Sequence, residues 1–129
     1  SNGATLGGHV VIGDHVIISG LSGIHQFCRI GDHAIIGGCT KIVQDVPPFL
    51  IADGNPAALR GINLVGLQRR GFSPEAIRGL KDAYKKLFLD KRANLARSVE
   101  EFRSKHPETG AEVTQLLDFL NETERGFVR

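Results

Sequence analysis

The stretch IGDHVIISG at residues 12–20 returns 18 residues later as IGDHAIIGG at residues 30–38. Around this repeat an aliphatic residue stands at every sixth position, namely Leu6, Ile12, Ile18, Ile24, Ile30, Ile36 and Ile42. An α-helix cannot keep a six-residue stripe on one face, and an isolated strand would repeat every two residues. A coil with three flat sides of six residues can, so the repeat predicts stacked β coils, a β-helix, over residues 1–46.

A second series follows the first by four residues and contains only small or β-branched residues. Its members are Val10, Val16, Ser22, Cys28, Ala34, Thr40 and Val46. We expect both series to point inward, and we expect the Gly and Asp directly after each aliphatic residue to form corners with unusual dihedral angles. About two and a half coils without a capping element would leave the first rung bare, so we expect the chain to belong to a longer β-helix.

Residues 47–72 are predicted to be an irregular connection, because the six-residue period stops here. Pro47-Pro48 and the string DGNP at residues 53–56 are typical of turns and loops.

Residues 73–129 are predicted to form three helices, each with its own start signal. The signals are Ser73 with Pro74 for a helix over residues 74–89, Asn94 for a helix that ends at Pro107, and Thr109 with Glu112 as a capping box for a third. Three helices of this size are expected to pack on each other and on neighbouring chains.

The composition is that of a soluble globular protein, and the charge is unevenly distributed. Residues 1–46 contain two of the 16 Lys and Arg residues and three of the 14 Asp and Glu residues, so the positive excess lies in the second half. The cations are mixed with carboxylates, which argues against a nucleic-acid module. No apolar stretch approaches the roughly 20 residues of a membrane span, and no secretory signal is visible, so we expect a cytoplasmic protein.

Four strings are more specific than the repeat. They are NGATLGGHV at residues 2–10, IHQFC at 24–28, QDVPP at 44–48 and GLQRRGF at 66–72. In order and spacing they resemble the UDP-N-acetylglucosamine O-acyltransferases over residues 2–129, and the closing RGFVR at residues 125–129 is also similar. The resemblance implies a left-handed parallel β-helix followed by a three-helix bundle.

The resemblance also implies an activity. The family is a cytoplasmic homotrimer that moves an R-3-hydroxyacyl chain from acyl carrier protein to the 3-hydroxyl of UDP-N-acetylglucosamine, the first step of lipid A biosynthesis. Its active sites lie in clefts between adjacent β-helices, and it uses neither a cofactor nor a metal.

The resemblance assigns roles to individual residues. His9 would line the catalytic cleft, His25 and Gln26 would contact the nucleotide sugar, Asn63, Arg69 and Arg70 would bind its nucleotide and phosphates, and Gly38 would stand where acyl length is measured. A Gly at that position implies that a long acyl chain can enter. Arginine suits the phosphates because its guanidinium can donate two parallel hydrogen bonds.

Three features depart from the family pattern. The family's general base is a His in an upstream His-x-x-His-Asp string, and these 129 residues contain no such string. This chain alone is therefore expected to lack its principal base and to be inactive. Val65 stands where a Glu is usual, and Pro56 where a His is common, which leaves the affinity for the nucleotide open.

A basic surface is predicted on the first helix. Lys81, Lys85 and Lys86 share the side opposite its apolar stripe, and Lys91 and Arg92 follow. We take Lys85 and Lys86 as candidates for docking acidic acyl carrier protein, with a solvated helix face as the alternative.

Other functions remain open from the sequence. The chain could be a non-catalytic trimerisation and nucleotide-sugar-binding module, or part of another hexapeptide-repeat acyltransferase. A carbonic anhydrase of the γ type would need three zinc-binding His residues. His15 and His33 should stack, but no third ligand is fixed by spacing.

Overall fold

The computed structural model describes residues 1–89, 94–107, 109–123 and 126–129. Lys91, Arg92 and Arg125, which were singled out above, lie outside these ranges. The strands are β1 Thr5–Leu6, β2 Val11–Ile12, β3 Ile17–Ile18, β4 Gly23–Ile24, β5 Arg29–Ile30, β6 Ile35–Ile36, β7 Lys41–Ile42, β8 Leu50–Gly54 and β9 Ala57–Ile62. The helices are α1 Leu64–Arg69, α2 Pro74–Phe88, α3 Leu95–Lys105 and α4 Ala111–Glu122.

The short strands form the three faces of a prism. The parallel sheets are β1-β4-β7, β2-β5 and β3-β6-β8, and β9 pairs antiparallel with β8. Within the repeat, partners are 18 residues apart, as in Leu6 with Ile24 and Ile24 with Ile42. The predicted 18-residue coil is therefore confirmed.

The inward-pointing series is buried progressively along the prism. Leu6 is 48% exposed, Ile24 is 4% exposed, and Ile36 and Ile42 are fully buried. The second series behaves in the same way, since Val10 and Val16 are half-buried whereas every member from Ser22 onward is buried. Burial increases because each later rung has neighbouring coils or the helices packed against it.

The corners differ from the expectation. The left-handed backbone conformation falls on the third residue after each aliphatic position from Leu6 to Ile36, with φ between 53° and 67°, and not on the Gly or Asp directly after it. Phe49 adopts the same conformation, with φ of 70°. These corner residues stack in three columns, which we call the first edge (His9, Phe27), the second edge (His15, His33, Phe49) and the third edge (Leu21, Cys39). Glycine after the aliphatic residue has a different cause: a Cβ on Gly7 would lie 2.6 Å from the backbone nitrogen of Gln26 in the next coil.

The segment expected to be irregular is ordered. Residues 50–62 form the β8–β9 hairpin, with a register shift at Ile51/Ala52 and a cis peptide bond between Asn55 and Pro56 in the turn. The short helix α1 then follows. The prolines and the DGNP string mark the start of this segment and its hairpin turn, and the prediction of an irregular connection was wrong for the residues between and after them.

The helical region contains α2, α3 and α4, close to their predicted positions, in addition to α1. The Oγ of Ser73 accepts a hydrogen bond from the nitrogen of Ala76, and the side chain of Asn94 accepts one from Arg97, so both predicted caps are confirmed. The capping box is wrong: Gly110 is the N-cap of α4 and makes no side-chain cap, while the Oγ1 of Thr109 lies 3.3 Å from that of Thr114.

The helices and the prism share one core. Helix α2 packs on α3, α4 and β9, and a single buried cluster runs from Ile24 in the prism to Leu116 in α4. The helices therefore bury their apolar faces partly against the β coils.

Asp45 ties the prism to the end of the chain. It is only 2% exposed, and its carboxylate accepts hydrogen bonds from the nitrogen of Arg29 at 2.8 Å and from the hydroxyl of Thr123 at 2.6 Å. Its backbone accepts a hydrogen bond from Val128 and donates one to Gly126. The Asp of the QDVPP string is thus a structural residue.

Candidate functional site

A groove of about 420 Å³ runs along the second edge of the prism. Its walls are the outer side chains of β3 and β6 on one side and helix α1 on the other. The lining residues are His15, Val16, Ile17, His33, Ile35, Asn63, Val65, Gly66, Arg69 and Arg70. The groove therefore unites three of the predicted nucleotide-binding residues with the stacked histidines of the repeat.

Arg69 and Arg70 are the cations of this groove, at the end of α1. Both side chains are exposed, and among the described residues neither has a carboxylate within salt-bridge distance. Two adjacent guanidinium groups without a carboxylate partner leave their donors available to an anion. This arrangement fits a phosphate-bearing ligand.

Asn63 holds the helix that carries these arginines. It is 4% exposed, its Nδ2 donates to the carbonyl of His33 at 2.8 Å, and its Oδ1 accepts from the nitrogen of Gly66 at 3.1 Å. The side chain thus caps α1 and fastens it to the second edge. Direct contact between Asn63 and a nucleotide stays a prediction.

Aromatic rings set the position of the groove floor. The imidazole of His33 stacks on His15 at 5.0 Å and on Phe49 at 5.8 Å, and meets the edge of Phe72 at 4.9 Å. Phe72 follows Arg70 by two residues, so its packing anchors the end of α1. Phe49 and Phe72 were not predicted from the sequence, although the position of Phe72 beside the arginine pair was an available signal.

The environment of His33 lowers its pKa. Burial is the main cause, and the positive charges of His15 and Arg70 act in the same direction, against Asp32 and Asp14. The neutral form of His33 is therefore favoured.

His9, His25 and Gln26 lie at the first edge. The ring of His9 stacks on Phe27 at 5.0 Å with the planes 3° apart, and all three predicted residues are exposed. The Nδ1 of His25 lies 3.2 Å from the carbonyl of Gln26. Sheet β2-β5 lies between the first edge and the second edge. A single chain therefore does not unite these residues with Arg69 and Arg70.

Gly38 lies at the third edge, one residue before Cys39. A Cβ built on it would have only the carbonyl of Gly20 within 4 Å, at 3.6 Å. A methyl group fits there without a clash, so Gly38 is an open surface position.

The comparison with known families decides what this scaffold is. The family model described as UDP-N-acetylglucosamine O-acyltransferase, domain 2, matches residues 45–128. The chain belongs to the UDP-N-acetylglucosamine O-acyltransferase family.

Individual members of the UDP-N-acetylglucosamine O-acyltransferase family match the whole chain. The acyl-acyl-carrier-protein–UDP-N-acetylglucosamine O-acyltransferase of Thiobacillus denitrificans is 44% identical over 129 residues, which are 100% of this chain and 49% of the relative. The structure of UDP-N-acetylglucosamine acyltransferase from Arabidopsis matches with a TM-score of 0.93 and 34% identity, over 99% of this chain and 47% of that one. The Francisella novicida enzyme gives 0.90 and 35%, over 99% and 46%.

This family member spans about half the length of the relatives it matches. The match nevertheless extends through the prism, the hairpin and the helices. Residues 45–128, which match the family model, include Asn63, Arg69 and Arg70, while His9, His25, Gln26 and Gly38 lie before it.

Lys85 and Lys86 are both exposed on α2 of this family member. The Nζ of Lys86 lies 5.9 Å from the centroid of the Phe102 ring on α3, whereas Lys85 has no such ring contact among the described residues. Their role in docking stays a prediction.

Two features are absent from the described part of the chain. None of its helices combines the length and the apolar surface that crossing a bilayer requires. No group of three or more His, Cys, Asp or Glu residues lies close enough together to hold a metal ion, within the same residues.

Proposed function

We propose that this chain is the carboxyl-terminal part of an enzyme that moves an R-3-hydroxyacyl chain from acyl carrier protein to the 3-hydroxyl of UDP-N-acetylglucosamine, the first step of lipid A biosynthesis. The observation that carries the proposal is the groove of Arg69 and Arg70 at the second edge. This groove belongs to a chain that matches UDP-N-acetylglucosamine O-acyltransferases along its full length. The reaction would take place in the cytoplasm.

The arginines of the groove would bind the two phosphates of the nucleotide sugar. Arg69 and Arg70 supply positive charge and paired donors, and no carboxylate of the described residues lies within salt-bridge distance of them. Asn63 orients the helix that bears them. Val65, whose side chain is 58% exposed, supplies an apolar wall where a Glu is usual in the family.

The acylation site would form between two chains of a homotrimer. His9, His25 and Gln26 lie at the first edge and the arginines at the second, so one nucleotide sugar can meet both groups only where the edges of two prisms face each other.

We also propose that the coils wind left-handed, that residues 1–46 are the coils, that residues 47–72 carry the nucleotide groove, and that residues 73–129 act as one helical unit. Gly38, open at the third edge, would admit a long acyl chain.

The transfer needs a base for the sugar hydroxyl and donors for the oxyanion that forms at the thioester carbonyl. His9 would assist in the cleft, but these 129 residues contain no His-x-x-His-Asp string to supply the principal base. The chain alone is thus expected to bind the nucleotide sugar without turning it over. A purely nucleotide-sugar-binding module is the second candidate, and activity gained on adding the upstream residues would exclude it.

Replacing Arg70 with alanine should weaken the binding of UDP-N-acetylglucosamine about tenfold to a hundredfold, because a hydrogen bond to a charged group contributes roughly 1.5–3 kcal/mol. Calorimetric titration of the purified chain measures this directly. Arg78→Ala is the matched control, since Arg78 is exposed on α2 and lies outside the groove. Equal affinity of Arg70→Ala and the unchanged chain would remove the arginine pair from the proposed site.

Reversing Lys85 and Lys86 to glutamate should weaken the binding of acyl carrier protein about five- to thirtyfold at low salt, because each exposed charge pair contributes up to roughly 1 kcal/mol. Fluorescence anisotropy with labelled acyl carrier protein measures the effect, which should shrink at high ionic strength. Lys41→Glu is the control, since Lys41 is exposed on β7, away from the helices. A loss of the same size in both variants would show that net charge, not this helix face, matters.

A further inference from the structure

The stacked pair His15 and His33 forms the floor of the arginine groove, and the proposed reaction leaves the pair unused. Both rings line the same cavity as Arg69 and Arg70, with their centroids 5.0 Å apart and their planes 27° apart. His15 is exposed and His33 is half-buried. The pair thus lies where a ligand held by the arginines would touch it.

The corner positions do not themselves require histidine. Phe27 and Phe49 occupy the same corner position in the repeat, with φ of 67° and 70°, and stack in the same way as the histidines do. A phenyl ring therefore satisfies the backbone and the stacking at such a corner. What histidine adds at residues 15 and 33 is a group that can donate hydrogen bonds and carry a positive charge.

The charged groups around the pair act on the pKa of His33 in opposite directions. From the coils, Asp14 and Asp32 face it, and Asp32 also accepts a hydrogen bond from Gln115 of α4 at 2.9 Å. From α1, Arg70 opposes protonation of His33, and Arg69 lines the same cavity. An anion bound between the arginines and the rings would raise the pKa of His33, because its negative charge favours the protonated imidazole.

We propose that His15 and His33 are ligand-binding residues that take up a proton when a diphosphate-bearing ligand enters the groove, so that pH sets its affinity. The proposal rests on the function proposed above, in which the groove binds the diphosphate of a nucleotide sugar. The uptake joins one proton from solvent to an imidazole nitrogen, and the resulting N–H donates to a phosphate oxygen.

The direction of the pH dependence follows from linkage. Burial and the neighbouring cations hold the pKa of His33 below its usual value of 6.5 in the free chain, and a bound anion would raise it. The ligand complex therefore binds more protons than the free chain, and affinity rises as pH falls from 8 toward 6. The increase is limited to about tenfold per pH unit for each proton taken up.

The experiment is calorimetric titration of the chain with UDP-N-acetylglucosamine at pH 6, 7 and 8, each in two buffers of different ionisation enthalpy. Both phosphates of this ligand are esterified and do not titrate in this range, so any proton uptake belongs to the protein. We expect Kd to fall about threefold to tenfold for each unit by which the pH is lowered. The observed binding enthalpy should depend on the buffer, which reports net proton uptake.

Two variants and one control locate the effect. His15→Phe should reduce the pH dependence and His15→Phe with His33→Phe should abolish it, because a phenyl ring cannot take up a proton. His106→Gln is the control, since His106 stacks on Phe102 in the helical region, away from the groove. A double variant that keeps the full pH dependence would overturn the inference.

A second measurement does not depend on the variants folding. The imidazole C2–H resonances of the five histidines can be titrated by NMR with and without saturating ligand. The resonances assigned to His15 and His33 should show a pKa raised by the ligand, with His106 as the internal reference. Binding with no pH dependence and no such rise overturns this inference alone, whereas no saturable binding at any pH overturns the proposed function as well.

Discussion

Ile36→Ala is expected to lower the free energy of unfolding by about 3–4 kcal/mol, the usual cost when a large aliphatic side chain is removed from a rigid core. Ile36 is fully buried, and its strand β6 lies between β3 and β8 in sheet β3-β6-β8. The paired strands on both sides are held by hydrogen bonds, so they cannot easily move in to fill the cavity. Urea denaturation followed by circular dichroism measures the change.

The matched control for Ile36 is Leu6→Ala, at the same position of the six-residue repeat. Leu6 is 48% exposed, so its truncation should cost under about 1 kcal/mol, because little apolar surface returns to water. Equal losses at Leu6 and Ile36 would mean that both rungs are equally covered in solution. That result would contradict the burial gradient along the prism.

Asp45→Ala is expected to destabilise the chain by about 2–3 kcal/mol, because it leaves the part-buried N–H of Arg29 without its acceptor and removes one of the two acceptors near the Thr123 hydroxyl, the other being the carbonyl of Gly126. The lost partners are the nitrogen of Arg29 and the hydroxyl of Thr123. Thermal unfolding measures the stability. Since the backbone of Asp45 also pairs with the chain end near Phe127, susceptibility of the last residues to carboxypeptidase should rise in the same variant.

Two further variants test the cause of the loss at Asp45. Asp45→Asn keeps one carbonyl acceptor and should cost clearly less than Asp45→Ala. Asp118→Ala removes an exposed carboxylate that pairs with Arg103 at 2.8 Å, and it should cost under about 1 kcal/mol. If Asp118→Ala were as harmful as Asp45→Ala, the buried hydrogen bonds would not be the reason.

The prism could be predicted from the sequence because its period is written directly in the chain. An aliphatic residue every six positions admits few other structures, and the 18-residue pairing followed from it. The corner geometry could not be read in the same way. Leu21 and Cys39 adopt a left-handed backbone conformation that their side chains do not favour, so the coil imposes it on them.

The hairpin and α1 were hidden for a related reason. Tertiary pairing decides them: β8 is held by β6, and α1 begins where Asn63 reaches the carbonyl of His33, 30 residues earlier. Such contacts carry no local signal. Residues with strong helix signals, such as Ser73 and Asn94, were assigned correctly.

The sequence predicts individual residues of the candidate site but not their arrangement. The arginine pair was recognisable within the string GLQRRGF. The residues that lie near it, namely Phe49, Phe72 and the stacked histidines, depend on which residues share an edge. The period places His15 above His33, but only the fold shows that α1 returns to the same edge.

The 18-residue register also limits how such a protein can change in length. Inserting or deleting one whole coil leaves every side chain on its own edge and moves the groove along the prism axis by one strand spacing, about 4.8 Å. An insertion of six or twelve residues would keep Ile36 and its equivalents inward but would move the later side chains to a different edge. A length that is not a multiple of six, unless it bulges out as a loop, would turn the later rungs so that these residues face solvent. A site on one edge is therefore preserved only when complete coils are gained or lost, and the distance between its parts along the axis changes in fixed steps.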